Sequence, residues 1–212
     1  MSALRFLPVI LLCTILLGSC GRSELIRIRM LAPVNEDKKD HAIFTDTESS
    51  SFTPTITNKQ IGGSLYILFK SIGLGYTTIT TKMEKTDTNL KEETTLVTNF
   101  TDVAFGIGEN YSFMWGTGVL SGGKMEMSLE DGSNSFYPKN NYLGGHSIFF
   151  VLGHHGFGFE TLLGYRTNFI KAEFEESNLP LTVGKTSQDF TYESNKISLT
   201  TSQVQLGIGF TF

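Results

Sequence analysis

The segment Gln203–Phe212 constrains the fold more than any other part of the chain. Val204, Leu206, Ile208, Phe210 and Phe212 alternate without a break with Gln203, Gln205, Gly207, Gly209 and Thr211. A period of two puts the apolar set on one face of a β-strand and the polar or small set on the other. The sequence stops on an aromatic residue, with nothing after it to cover that apolar face. The expectation is a strand whose outward side meets lipid instead of protein.

The composition fits such strands. The 212 residues are 40% hydrophobic but only 18% charged, with 17 Phe and 22 Gly. That mixture suits aromatic-rich, twisted strands with tight turns, in a chain long enough for one closed sheet. The net charge of −4 comes without a basic stripe, which argues against nucleic acid as a partner. The two cysteines both lie near the N-terminus, so no disulfide framework is expected. No run reaches the roughly 20 apolar residues of a spanning helix, so any membrane role falls to β-sheet.

Met1–Cys20 has the form of a signal peptide: Arg5 in the n-region, an apolar Phe6–Leu17, then small Gly18 and Ser19. Leu17-Gly18-Ser19-Cys20 resembles the bacterial lipobox, which implies acylation of Cys20 as the mature N-terminus. The alternative is ordinary cleavage nearby with Cys20 incidental. Residues 21–212 then form a single β-barrel domain.

Eight strands can be counted from Leu25 onward. They are Leu25–Leu31, Gly62–Phe69, Ile72–Lys82, Thr94–Ile107, Tyr111–Ser128, Asn141–Leu152, Phe157–Ala172 and Ile197–Phe212. The phase of Asn141–Leu152 is open because it is apolar on both faces. Ile197 and Leu199 are out of phase with Val204, which predicts a bulge or a strand end above the membrane. Long connections are expected at Val34–Gln60, Met83–Glu93, Leu129–Asn140 and Glu173–Asn195. Short ones are expected at Lys70-Ser71, Gly108–Asn110 and Gly153–Gly156. Short turns alternating with long loops predict an all-β, eight-stranded, antiparallel, up-and-down transmembrane barrel with both ends on the short-turn side.

The two faces agree with that architecture. Phe69, Tyr76, Phe105, Tyr111, Phe113, Phe157, Phe159, Phe210 and Phe212 crowd the short-turn end of the apolar face, like an interfacial girdle. The opposite face carries Arg27, Arg29, Asp102, Lys124, Glu126, Glu160 and Arg166, read as a lumen charge network in which both signs can pair. About eight strands leave an interior that side chains roughly fill, so a wide pore is not expected.

This pattern, from the signal peptide through the terminal strand, resembles small eight-stranded outer-membrane β-barrel proteins of the OmpA-transmembrane and OmpX kind. The resemblance implies a place in the bacterial outer membrane, outer-membrane lipid as a partner, and recognition of Phe212 and Phe210 by the barrel-assembly machinery as an assembly signal.

Residues that suggest chemistry are few. His146 and Ser147 are adjacent on a strand, so they face opposite ways and cannot form a dyad with each other. His154 and His155 read as polar turn residues, and two adjacent histidines without further ligands make a poor metal site. Glu160 and Arg166, six apart and both inward on one strand, read as a structural ion-pair network in preference to a catalytic carboxylate. Gly106-Ile107-Gly108 and Gly207-Ile208-Gly209 lack the lysine and helix of a phosphate loop. No cofactor, metal or catalytic set is expected. The leading functional expectation is a structural or adhesin-like surface protein with an extracellular ligand met by its loops. The alternatives are a narrow conduit for small solutes, a lipid-modifying enzyme using His146, and a periplasmic lipoprotein barrel holding an apolar ligand.

Overall fold

The computed structural model describes residues 26–34, 55–86, 90–131, 134–137, 140–156, 158–174 and 196–212. The targeting segment with Cys20 lies outside the described residues, as do most of Asn35–Asn58 and Glu173–Asn195. The described chain forms β1 (Ile26–Pro33), β2 (Thr55–Phe69), β3 (Ile72–Thr86), β4 (Leu90–Ile107), β5 (Tyr111–Asp131), β6 (Asn134–Phe136), β7 (Asn140–Gly156), β8 (Phe159–Phe174) and β9 (Lys196–Thr211). Eight of these close a ring in the order β1-β2-β3-β4-β5-β7-β8-β9, and β9 pairs back onto β1. The pairings are antiparallel throughout, and the short β6 lies along the far end of β5.

The register fixes the barrel's shape. Partners followed from Met30 run through Leu65, Tyr76, Thr101, Val119, His146 and Phe169 to Thr200, but Met30 itself pairs with Ile208 on β9. The ring therefore closes with a stagger of eight residues. Eight strands with that shear tilt by about 35° and leave an interior that side chains can fill.

Alternation sorts the side chains by face. Leu65, Ile67, Phe69, Ile72, Leu74, Tyr76, Ile148, Phe150, Leu152, Leu206 and Ile208 are exposed on the outside. Their inward neighbours Tyr66, Leu68, Thr77, Ser147, Phe149 and Gln205 are buried. β7 thus takes the phase with Ser147, Phe149 and Val151 inside. Past the outward apolar positions comes charge: Lys59 on β2, Lys82 on β3, Glu93 on β4 and Lys171 on β8.

Several boundaries differ from the sequence reading. The long connection expected over Met83–Glu93 is mostly ladder, with β3 reaching Thr86 and β4 starting at Leu90. Its charges pair, Lys91 lying 3.6 Å from Glu84 across the hairpin and 3.8 Å from Glu93 along β4, so a polar segment remains sheet. The turn expected at Gly153–Gly156 is strand: His155 donates its amide to the Asn110 carbonyl at 2.8 Å, and His154 stacks on Tyr111 at 4.7 Å. The connection expected over Leu129–Asn140 contains the end of β5 and β6. No register shift interrupts β8–β9 near Leu199. Leu199 breaks the polar pattern because it points into an apolar part of the lumen, where it packs in the cluster with Met83, Leu96 and Ile170. The bulge lies instead on β4–β5, where Asn99 pairs with Gly122 and Phe100 with Leu120, leaving Ser121 as the extra residue.

Candidate functional site

The lumen is built in layers, and the first is an ion pair near the short-turn end. Arg29 of β1 and Glu160 of β8 are both in register with Gly209 of β9, the strand between them. The arginine reaches across that glycine. Its Nε donates to Glu160 Oε2 at 2.8 Å and its Nη2 to Glu160 Oε1 at 2.9 Å. Ser112 of β5 accepts from Nη2 at 2.7 Å and lies 3.2 Å from Glu160 Oε1. A Cβ at position 209 would sit 2.7 Å from Glu160 Oε2 and 3.2 Å from Arg29 Cγ, so the pair needs glycine there.

Above it, Arg166 of β8 spans the lumen to Asp102 of β4. Nη1 donates to Oδ2 and Nη2 to Oδ1, each at 2.9 Å. Such a fork-to-fork arrangement is the strong geometry for this pair. Asp102 also accepts from Thr77 Oγ1 at 2.6 Å. Arg166 gives its Nε proton to Asn168 Oδ1 at 2.9 Å, another to Tyr66 Oη at 3.2 Å and another to Ser147. The guanidinium is held against two rings, 4.7 Å from the Phe100 centroid and 5.4 Å from that of Phe149. Two buried charges cost several kcal/mol of desolvation each, so they persist only when paired and hydrogen-bonded in this way.

Apolar layers flank the second pair. Leu31, Leu68, Met114, Val151 and Leu162 pack on the short-turn side. Met83, Leu96, Met125, Met127, Ile170, Phe174 and Leu199 pack on the other. Every one of these side chains is 8% exposed or less. The barrel axis is therefore blocked by side chains at four successive levels, two ionic and two apolar.

Of the residues assigned to a lumen network, Arg29, Asp102, Glu160 and Arg166 lie inside, in two separate pairs. Arg27 is half-buried in the inward phase at the short-turn mouth. Lys124 and Glu126 do not belong there. They are exposed and pair with each other at 2.7 Å on the outside. The bulge at Ser121 reverses the phase of β5, so Met125 and Met127 take the inward places. Tyr66, Thr77, Ser112, Ser147 and Asn168 were missed by sequence reasoning. Each shares the inward phase of its strand, which was the signal for them. His146 is outside, stacked on Phe169 at 5.0 Å, while Ser147 is inside with Arg166. Among the described residues no group of three His, Cys, Asp or Glu is placed to hold a metal ion. Phe210 and Phe212 are exposed at the short-turn end.

Among the described residues, the wall opens between β5 and β7. The β5–β7 ladder runs from Tyr111/His154 to Val119/His146 and stops. Beyond it β5 pairs with β4 and β6, and the start of β7 pairs with β8. The two strands diverge around a cleft of about 720 Å³ lined by Lys124, Met125, Met127, Tyr137 and Leu143 among others.

No protein-family model and no curated protein sequence matches the chain. Among solved structures it is similar to the outer membrane protein OprG from Pseudomonas aeruginosa, with 9% identity, a TM-score of 0.39, and coverage of 91% of this chain and 98% of that one. The likeness is one of barrel architecture alone.

Proposed function

We propose that this chain is a bacterial outer-membrane barrel, sealed along its axis, that acts at the cell surface through the part of its wall standing clear of the lipid. The observation that carries the reading is the mismatch between strand length and apolar band. On β2 the outward apolar positions run from Phe69 to Ile61, where Lys59 follows; on β8 they run from Phe159 to Phe169, where Lys171 follows. At the tilt above, these runs are about 21–27 Å tall, close to the hydrocarbon band of membrane barrels. Yet β5 continues to Asp131, with exposed Lys124 and Glu126 beyond its last apolar outward residue, Val119. The surplus is all on the side away from the short turns.

The projecting wall also has free edges. β5 past Val119 and β7 before His146 are unpaired with one another, and such edges accept an added strand from a partner. The same reading includes export through Met1–Cys20, acylation of Cys20, and Phe210 and Phe212 as the assembly signal. Outer-membrane fractionation with heat-modifiable gel migration tests the placement. Protease added to intact cells should cut within Asn35–Asn58 or Glu173–Asn195. Full protection in intact cells, with cutting in permeabilised ones, would remove the surface role. Planar bilayers should show no stepwise conductance, and reproducible channel steps would replace the sealed barrel with the conduit.

A further inference from the structure

We infer that the outer wall at β2–β3 holds the phosphate of a membrane-lipid headgroup between Lys59 and Lys82. This rests on the membrane placement just proposed. The two lysines are direct partners in the β2–β3 ladder, both exposed and both in the outward phase. Residues opposed in this way have Cβ atoms about 4.5–5.5 Å apart, and like charges there destabilise a sheet. Neither lysine has an ion-pair partner among the described residues.

The next outward step shows how this wall treats a like-charged pair when it is neutralised from within. Glu84 and Glu93 are also opposed in register, on β3 and β4. Lys91 stands over them, 3.6 Å from one and 3.8 Å from the other. Among the described residues no carboxylate performs that service for Lys59 and Lys82. An anion from outside the chain would.

Position selects which anion. Ile61 is the outward residue next to Lys59 and is 54% exposed, and below it come Leu65, Ile67 and, on β3, Leu74 and Tyr76. Going up the wall, the order is acyl-length apolar surface, then Thr78 and Thr80, then the lysine pair. A phosphorylated lipid lying against β2 and β3 meets these in the same order: chains, linkage, phosphate. A phosphate bridging two ammonium groups forms charge-assisted hydrogen bonds to both. Free phosphate would gain the upper contact but none of the lower ones.

The test uses the full chain in non-ionic detergent micelles, titrated with bis-phosphorylated lipid A and read by native mass spectrometry. The K59Q/K82Q double variant should bind at least tenfold more weakly, and wild type should bind dephosphorylated lipid A about as weakly as the variant binds the phosphorylated form. Lys171→Gln, a lone outward lysine on β8, should change nothing. Inorganic phosphate in millimolar excess should not displace the lipid. Equal binding by K59Q/K82Q, or full displacement by inorganic phosphate, overturns the inference. Heat-modifiable migration of each variant separates a folding defect from a lost contact. A wild-type chain that inserts and shifts normally but ignores the phosphate sinks this inference alone, whereas a chain that never enters lipid sinks the membrane placement beneath it.

Discussion

Removing the Asp102 carboxylate while leaving Arg166 in place should cost this barrel a large part of its stability. Asp102 accepts three hydrogen bonds, one from Thr77 and two from Arg166, and both ionic side chains are fully buried. In Asp102→Leu the guanidinium stays in the lumen without its counter-charge. Breaking a buried pair in this way costs about 3–5 kcal/mol. Ser147, Asn168 and Tyr66 still solvate part of the cation, which argues for the lower end, about 3 kcal/mol, or roughly a hundredfold in the unfolding constant. Arg166→Met strips Asp102, Tyr66, Thr77, Ser147 and Asn168 of a donor and leaves Asp102 charged, so its cost should be similar. The double variant D102L/R166M leaves no orphan charge. It should lie within about 2 kcal/mol of wild type, since buried pairs replaced by apolar groups are often near neutral. The assay is urea unfolding in phosphatidylcholine vesicles, followed by the fluorescence of Trp115, the single tryptophan. The cycle should show a coupling of at least about 2 kcal/mol. Single losses under about 1 kcal/mol, or a double loss equal to the sum of the singles, would refute the claim that this pair is buried and mutually dependent.

Gly118→Ala should destabilise by about 1–3 kcal/mol in the same assay, the usual cost of overpacking, because its methyl would collide with Asp102 and Ser147; an unchanged midpoint would count against the tight lumen. Gly209→Val should weaken the lower pair similarly, because its side chain would crowd Glu160 Oε2 and Arg29 Cγ; an unchanged midpoint would show that the pair does not need glycine there. With Cys13 and Cys20 replaced, cysteines at Thr117 and Ile148 should oxidise to a disulfide, since these positions are opposed in the ladder, whereas cysteines at Ser121 and Gly144, past its end, should not. Cross-linking at both sites would close the opening between β5 and β7.

The barrel was legible in the sequence because an apolar outer face and a narrow lumen impose a strict period of two. Strands such as Gln203–Phe212 carry that period without interruption. What misled was chemistry that changes along a strand. Leu199 looked like a phase error because the lumen turns from polar to apolar above Gln203, and a single strand cannot reveal what lies across the barrel. Lys124 and Glu126 were misplaced because one extra residue, Ser121, inverts everything after it. Charged ladders such as Glu84/Glu93 read as loop, since charge in water marks both. Arg29, Asp102, Glu160 and Arg166 could be assigned to the lumen from phase, but Glu160 was set with Arg166, whereas Glu160 pairs with Arg29 and Arg166 with Asp102. Their partners lie 131 and 64 residues apart, a separation only the closed ring brings together.

Whether lipid is the solvent of the outward face is something Trp115 can report directly. Its ring lies on the outer side of β5 between Phe105 and Phe113, with centroids 6.0 and 5.4 Å away. Reconstituted into vesicles whose acyl chains carry bromine, the protein should lose most of its tryptophan fluorescence relative to unbrominated vesicles. Undiminished emission from a folded, vesicle-bound chain would contradict the claim.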